Sequence, residues 1–215
     1  DIITLDKEGR LTKVFGGAIA LHPAQIVNKE LSMVQKQELQ TTEKQAIARY
    51  AASLIEPDDC VYLDAGTTTG WMIEYIRQEK ATYITNALSH AKRLADKGFN
   101  VILIGGEPKS STDAIVGGEA VLNLQKYHFS KGFFGVNGID RLSGFTTPDV
   151  KEAVVKQAAV KNTQPAHRYF LTTSSKFGEV YAVTFAGFEG GTILTEDNVS
   201  EVLPKSIEII NVTQQ

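Results

Sequence analysis

The chain has 215 residues, of which 42% are hydrophobic and 22% charged, which is an ordinary globular composition with enough apolar residues for one sizeable core. Its formal net charge of −3 excludes nucleic-acid binding by charge alone, since that affinity grows with the number of phosphates neutralised. A single cysteine, Cys60, excludes a disulfide framework, and no apolar run approaches the roughly 18 residues of a membrane helix. No signal-peptide pattern opens the chain, which predicts a cytoplasmic protein.

The residue pattern of the N-terminal half of the sequence predicts helices that alternate with short apolar strands. Apolar residues recur on one face of residues 43–55, and Thr41 and Thr42 are candidate N-caps for that helix. Gly98 stands where a helix C-cap is expected. The predicted elements, in order, are a helix over 43–55, a strand at Cys60–Leu63, a helix around 71–76, a strand at Thr82–Thr85 and a helix through 88–94.

The second half continues the alternation and predicts an α/β fold with a largely parallel sheet flanked by helices. A glycine-bearing loop is expected at 105–118 and a polar loop at 138–149. Residues 1–22 stand apart from a helical stretch predicted at 24–39. The predicted elements are strands at 101–104, 132–137, 169–171, 183–185 and 207–212, and a helix over 150–160.

A threonine-rich loop at residues 64–70 lies between a predicted strand and a predicted helix. Open parallel sheets bind ligands beyond the carboxyl ends of their strands, and a helix N-terminus offers free N–H groups and partial positive charge to a phosphate. The loop is neither a Walker loop nor a Gly-x-Gly-x-x-Gly motif. The pattern leaves two interpretations open: a phosphate site, or an ordinary turn in which Thr67 or Thr68 caps the helix.

Three other strand ends carry polar residues or glycine: 85–86, 105–106 and 137–140. Each one alone is more often a simple turn. If the strands are parallel neighbours, however, these loops gather at the same edge of the sheet as the threonine loop. Their shared position after apolar runs favours a joint site.

Four charged residues are expected near that edge. Lys44 begins the helix before the threonine loop, and Lys176 follows another apolar run, so both could meet a phosphate. Glu152 and Lys156 have the i, i+4 spacing, which is as typical of an ion pair on a helix surface as of a binding site. For each of the three lysines taken alone, a solvated side chain is the commoner outcome. The four histidines show no metal spacing, so we expect no metal and no cofactor.

Seven short segments together resemble the DeoR family of bacterial sugar-operon repressors. They are Thr42-Glu43-Lys44-Gln45-Ala46-Ile47-Ala48, the loop at 63–69, Ile84-Thr85-Asn86, the strand end at 103–106, Gly135-Val136-Asn137-Gly138-Ile139-Asp140, the stretch 144–148 with Glu152 and Lys156, and Ser174-Ser175-Lys176-Phe177-Gly178. Individually each segment is weak, but their common order across residues 42–178 is specific.

The resemblance implies an effector-sensing domain with the fold of ribose-5-phosphate isomerase. In those isomerases an early lysine and a threonine-rich loop bind phosphate, which Lys44 and residues 67–69 resemble, while Asp140 and Glu152 stand near the acidic residues. Residues 1–22 resemble the end of a winged helix-turn-helix module and its linker, so we expect a cut N-terminus and an effector domain over 23–215. Thr173 and Ser130 replace aspartates of the family pattern.

These expectations describe a transcriptional repressor whose sensor binds a phosphorylated sugar. The repressor is expected to read operator DNA through the missing N-terminal module and to form a homo-oligomer. An aldose–ketose phosphate isomerase with Glu152 as base is the enzymatic alternative, and a purely structural oligomerisation domain is a third. The predicted ligand-binding residues are Lys44, Asp64, Gly66, Thr67, Thr68, Thr69, Thr85, Asn86, Gly105, Gly106, Asn137, Asp140, Glu152, Lys156 and Lys176.

Overall fold

A seven-stranded parallel sheet forms the centre of the molecule in a computed structural model that describes residues 3–4, 11–14, 17–20, 25–27, 35, 39–199 and 203–215. The sheet order is β16-β15-β12-β9-β4-β5-β6. Its strands are β4 (Cys60–Leu63), β5 (Thr82–Thr85), β6 (Asn100–Leu103), β9 (Lys131–Gly135), β12 (Arg168–Leu171), β15 (Gly191–Thr195) and β16 (Glu208–Asn211). The predicted α/β class, with a parallel sheet flanked by helices, is confirmed.

Five α-helices and one 3₁₀ turn connect the strands of the described part, and a second 3₁₀ turn follows the last strand. The helices are α1 (Thr41–Ser53), α2 (Thr67–Tyr75), α3 (Leu88–Asp96), α4 (Gly118–Leu124) and α5 (Val150–Lys161), and the 3₁₀ turns are Ser174–Lys176 and Val212–Gln214. None of the helices among these described residues is long and apolar enough to cross a membrane.

Both faces of the central sheet are buried, as expected for parallel strands covered by helices. A hydrophobic cluster covers each face of the sheet. Side chains of a strand point alternately to the two faces, so Val61 and Leu63 of β4 belong to one cluster and Tyr62 belongs to the other. Phe133 and Phe134 divide between the two clusters in the same way. The short apolar runs of the sequence are therefore strands buried on two sides.

A three-stranded antiparallel sheet packs against one of these faces, in the order β10-β11-β14. Its strands are β10 (Gly138–Asp140), β11 (Gly144–Thr147) and β14 (Val183–Ala186). Phe145 of β11 stacks on Phe170 of the central sheet with ring centroids 3.8 Å apart. The predicted polar loop at 138–149 is thus a hairpin whose apolar side chain is buried, and the strand predicted at 183–185 joins this smaller sheet.

Six short strands form three further pairs. A hairpin joins β1 (Leu11–Val14) to β2 (Gly17–Ala20), where the resemblance predicts the wing, and a second hairpin joins β7 (Glu107–Lys109) to β8 (Ala114–Val116) inside the predicted glycine-bearing loop. A third pair joins β3 (Gln25–Ile26) to β13 (Glu179–Val180) in parallel. The helix predicted over 24–39 is therefore wrong at residues 25–26; Gln35 is helical, and much of that stretch lies outside the described residues.

The helix ends were predicted only in part. The C-cap of α3 is Lys97, and Gly98, where the C-cap was predicted, is the next residue and takes the left-handed φ of 82°. Thr41 and Thr42 are not N-caps, because α1 already includes them and Gln40 takes the N-cap position. The sequence prediction also missed β15. This strand begins with Gly191, which leaves room for the ring of Phe170, since a Cβ at residue 191 would lie 2.6 Å from Phe170 Cε2.

Candidate functional site

The path of the chain through the sheet creates a crevice between β4 and β9. From β4 the strands proceed in one direction to β5 and β6, and from β9 they proceed in the other direction to β12, β15 and β16. Ligands of open α/β sheets bind at such a switch point, beyond the carboxyl ends of the strands. The loop at 64–67 follows β4 and the loop at 136–137 follows β9, so both lie at this point.

A cleft with two adjoining lobes lies at the switch point, and Thr67, Thr68, Val136 and Asn137 line both lobes. The first, here called the cationic lobe, is completed by Leu39, Gln40, Lys44, Leu171, Thr172, Thr173, Lys176 and Tyr181. The second, here called the carboxylate lobe, is completed by Ala65, Gly66, Thr112, Gly135, Glu152 and Lys156.

The first turn of α2 separates the two lobes and offers them backbone donors. Gly66 is the N-cap, so no side chain caps this helix, and the interpretation of Thr67 or Thr68 as a capping residue is wrong. The first N–H groups of a helix lack partners within the helix and carry partial positive charge. Thr69 is turned inward, where its hydroxyl donates to the Asp64 carbonyl at 2.7 Å. Thr67 and Thr68 therefore face the cleft, while Thr69 shapes the loop.

The cationic lobe takes its charge from Lys44 and Lys176. The Lys44 ammonium is largely buried and donates to the Leu39 carbonyl oxygen at 2.6 Å. The Lys176 ammonium lies 3.3 Å from a carboxylate oxygen of Glu179, and both side chains are about a third exposed. Two cations and the first turn of α2 thus line one small space, which is an arrangement suited to an anion.

Glu152 supplies the carboxylate of the other lobe. Its Oε1 accepts hydrogen bonds from the Thr112 hydroxyl at 2.6 Å and from the Lys109 ammonium at 2.9 Å. Burial pushes the pKa of Glu152 upward, but attraction to Lys156 and the bonds from Thr112 and Lys109 outweigh burial and hold the pKa below its usual value. Glu152 is therefore an ionised acceptor, which is suited to hydroxyl groups.

Lys156 is held by a buried ion pair and serves the architecture of the cleft. Its ammonium donates to Asp64 Oδ2 and, at 3.1 Å, to the Gly135 carbonyl oxygen, while Asp64 Oδ2 also accepts from the Gly135 N–H at 3.0 Å. Burial raises the pKa of the Asp64 carboxyl, and Lys156 opposes this rise. The pair ties the end of β4 to the end of β9 and to α5.

Thr85 and Asn86 lie behind the cleft and support its threonine loop. The Thr85 hydroxyl donates to the Leu63 carbonyl at 2.6 Å, and Asn86 Oδ1 accepts from the Ala65 N–H at 2.8 Å. Both side chains are buried and neither is among the residues that line the two lobes. Their contacts indicate positioning residues.

Three other predicted site residues lie elsewhere. Asp140 closes the turn between β10 and β11, since its Oδ1 accepts from the N–H groups of Leu142 and Ser143 at 3.0 and 2.8 Å. Gly105 and Gly106 are exposed beside the β7–β8 hairpin, and a Cβ on Gly106 would lie 2.7 Å from the Val116 carbonyl oxygen. The structure thus gives these residues turn and packing roles, and it does not bring them to the described lining of the cleft.

Sequence reasoning missed several residues in and around the cleft, above all Thr112, which lines the carboxylate lobe, and Lys109, which contacts Glu152. Both belong to the β7–β8 hairpin, which carries them to Glu152 across 40 and 43 residues of sequence, respectively. No local motif marks them, although a lysine next to a predicted glycine loop is a weak signal. The other lining residues absent from the predicted set are Leu39, Gln40, Ala65, Gly135, Val136, Leu171, Thr172, Thr173 and Tyr181.

A wider depression of about 390 Å³ lies beside α2 and is lined by Trp71, His90 and Arg93 among others. Its charge is already balanced, because Arg93 Nη2 lies 2.9 Å from a Glu74 carboxylate oxygen. Burial, with a further effect of Arg93, lowers the pKa of His90 to about 4, so this histidine is neutral near pH 7. The two-lobed cleft is therefore the better candidate for an anionic ligand.

A family model, that of the DeoR C-terminal sensor domain, matches residues 39–198. The chain belongs to the DeoR family. It is 42% identical over 198 residues to the uncharacterized HTH-type transcriptional regulator FruR of Bacillus subtilis, covering 92% of this chain and 77% of that protein. It is 36% identical over 211 residues to the lactose phosphotransferase system repressor of Staphylococcus aureus strain N315, covering 97% of this chain and 82% of that protein. Its relatives are thus named as transcriptional regulators and repressors.

Two solved structures are each similar to about two thirds of this chain. Ribose 5-phosphate isomerase A of Neisseria gonorrhoeae has a TM-score of 0.45 at 10% identity, covering 62% of this chain and 52% of that one. The translation initiation factor eIF-2B of Pyrococcus horikoshii has a TM-score of 0.46 at 16% identity, covering 66% and 50%. Membership of the DeoR family rests on the sequence matches.

Proposed function

We propose that this chain is the sensor part of a transcriptional repressor of a sugar-utilisation operon and that a phosphorylated sugar is its effector. The observation that carries the proposal is the division of charge in the cleft. Lys44, Lys176 and the first turn of α2 line one lobe, and the carboxylate of Glu152 lines the adjoining lobe. A phosphate fits the first lobe, and sugar hydroxyls fit an ionised carboxylate that accepts hydrogen bonds.

The names of the relatives support the biological part of this proposal. They are described as regulators of the HTH type and as a repressor of a lactose phosphotransferase system. We propose that operator DNA is bound by an N-terminal module to which residues 1–22 belong, with residues 23–215 as the effector domain. We further propose that the repressor is a homo-oligomer in the cytoplasm, where the effector changes the spacing of its DNA-reading modules.

The environment of Glu152 favours ligand binding over isomerisation. An efficient general base has a pKa near the working pH, whereas the contacts of Glu152 hold its pKa below the usual value. The Thr112 hydroxyl and the Lys109 ammonium already occupy the same carboxylate oxygen. An assay with ribose 5-phosphate and ketohexose phosphates tests the alternative: turnover that is lost in Glu152→Gln would show an isomerase.

The site assignment is tested by thermal unfolding of the protein with a panel of sugar phosphates that includes fructose 1-phosphate and tagatose 6-phosphate. We expect at least one sugar phosphate to raise the midpoint temperature, since a ligand that binds the folded state stabilises it. Lys44→Ala and Thr68→Ala should each reduce the shift. We expect Lys44→Ala to weaken binding about tenfold or more, because hydrogen bonds to charged groups contribute about 1.5 to 3 kcal/mol.

Lys126→Ala is the matched control, because it removes the same charge from an exposed position of the surface. It should leave the shift intact. Equal shifts in wild type, Lys44→Ala and Thr68→Ala would place the ligand elsewhere, and the lack of a shift with every sugar phosphate of the panel would overturn the proposed effector class.

A further inference from the structure

The chain immediately before α1 forms part of the wall of the cationic lobe. Leu39 and Gln40 both line the lobe, and the Leu39 carbonyl oxygen accepts the Lys44 ammonium at 2.6 Å. The Gln40 side-chain oxygen accepts from the hydroxyl groups of Thr173 at 2.8 Å and Ser175 at 3.1 Å. Gln40 has φ 51°, a left-handed conformation that non-glycine residues seldom adopt. These contacts hold the chain before α1 in a conformation that the backbone alone disfavours.

A second attachment of the N-terminal segment lies on another wall of the same lobe. The strand β3 pairs in parallel with β13, and the Val27 N–H donates to the Val180 carbonyl at 2.9 Å. Residues close to both ends of β13, Lys176 and Tyr181, line the cationic lobe. The Lys176 ammonium is in turn 3.3 Å from the carboxylate of Glu179, which begins β13. The N-terminal segment therefore contacts the walls of the lobe at two points that are distant in sequence.

Each cation of the lobe is thus engaged by a group at one of the two attachments: Lys44 by the Leu39 carbonyl, and Lys176 by Glu179. A phosphate attracts an ammonium more strongly than a neutral carbonyl does, because charge-assisted hydrogen bonds are roughly twice as strong as neutral ones. A phosphate that enters the lobe therefore competes with the Leu39 carbonyl for Lys44 and, as a second anion, with the Glu179 carboxylate for Lys176.

We infer that phosphate binding in the cationic lobe draws Lys44 away from Leu39 and Lys176 away from Glu179, and so loosens the attachment of residues 25–27 and 39–40 to the sensor. This inference rests on the proposed function, because it requires an anion in that lobe. It gives the effector a direct route to the chain that leads to the DNA-reading module. Neither a movement of the central sheet nor a change in the carboxylate lobe is needed.

The coupling between effector binding and attachment of the N-terminal segment is reciprocal, because a change in either equilibrium shifts the other by the same factor. If the effector loosens the N-terminal segment, then a variant with a loosened segment binds the effector more tightly. Val27→Pro is such a variant, since proline has no N–H to donate to Val180. Val27→Ala is the matched control, because it shortens the side chain and keeps the N–H. Val27 does not line either lobe.

The experiment is calorimetric titration of the whole 215-residue protein with fructose 1-phosphate, tagatose 6-phosphate and inorganic phosphate. For any probe that binds wild type, we expect Val27→Pro to bind about two- to tenfold more tightly, which is the change that loss of one net hydrogen bond brings. Val27→Ala should bind like wild type. Equal affinities in all three proteins would overturn the inference and leave the phosphosugar site standing.

Amide hydrogen exchange on the same samples gives a second readout. With the bound sugar phosphate, the Val27 amide and the amides around Gln40 should exchange faster, while those of residues 67–70 should exchange more slowly as the ligand covers them. Slower exchange at 67–70 with no change at Val27 and Gln40 would also overturn the inference. If none of the probes binds wild type, the proposed effector class fails, and the inference fails with it.

Discussion

Asn86 supports the backbone of Ala65 from behind the cleft: its side-chain oxygen accepts the Ala65 N–H at 2.8 Å. The same oxygen accepts the Tyr62 hydroxyl at 3.1 Å, and its amide nitrogen donates to the Ile115 carbonyl at 3.3 Å. One buried side chain therefore fixes the start of the threonine loop relative to β4 and β8. The cleft depends on this residue even though Asn86 does not line it.

Asn86→Ala should lower the free energy of unfolding by about 1 to 3 kcal/mol, because the buried Tyr62 hydroxyl and the partly buried Ala65 N–H lose their acceptor. It should also weaken sugar-phosphate binding, since the loop loses its support. Urea unfolding and calorimetric titration measure the two effects. Asn100→Ala removes an exposed hydrogen bond to Thr82 and should change stability by no more than about 0.5 kcal/mol. A similar loss in both variants would refute the special role of Asn86.

The buried Asp64–Lys156 ion pair is expected to contribute to the stability of the folded protein. Both side chains are almost fully buried, with 1% and 5% of their side-chain surface exposed. Asp64→Asn or Lys156→Met should each lower the free energy of unfolding by about 3 to 5 kcal/mol, because an unpaired buried charge remains. The double variant should be more stable than the sum of the two single losses predicts.

Lys92→Met is the control for this pair, because Lys92 and Asp96 form an exposed ion pair in which 75% and 62% of the side-chain surfaces are accessible. It should cost about 0 to 1 kcal/mol in the same urea titrations. If Lys156→Met proves no more harmful than Lys92→Met, the pair does not anchor β4 to β9 and α5.

The lowered pKa of Glu152 leads to a prediction about how the stability of the protein depends on pH. Its pKa in the folded protein lies below the usual value of 4.5, so the unfolded chain takes up a proton first as the pH falls. The stabilisation from this shift is present above pH 4.5 and is lost as the pH falls through the folded-state pKa. The stability difference between wild type and Glu152→Gln should therefore shrink from about pH 6 to about pH 3 in urea unfolding. A difference that grows toward acid pH would contradict the shift.

Much of the fold could be predicted because the apolar runs and the helix faces are local signals. The strand at Cys60–Leu63 and the strand at Thr82–Thr85 have the predicted bounds. The prediction failed for strands that begin with glycine and carry no more than two apolar residues, because glycine is depleted in strands and typical of turns. Gly191–Thr195 is one example, and the hairpin partner strands Gly138–Asp140 and Gly144–Thr147 are two others.

The lining of the cleft was predictable where it lies just beyond a strand of the central sheet, as at Thr67, Thr68 and Asn137. It was not predictable where the direction of a side chain decides its role. Thr69 turns inward to the backbone, and Asp140 turns back to close its own turn. A sequence shows that these residues are polar, but a polar group at a strand end can as easily hold the backbone as face a ligand.

The β7–β8 hairpin brings Lys109 and Thr112 to Glu152, yet this two-stranded ribbon pairs with no strand of the seven-stranded sheet. Within it, residues 107–112 are the part to exchange, because Asp113 and Ile115 bond to Leu88 and Asn86 and Ile115 belongs to the hydrophobic core. The proposed phosphate contacts of Lys44 and Lys176 lie on other elements. To change the sugar to which the proposed sensor responds, a protein engineer should begin with residues 107–112.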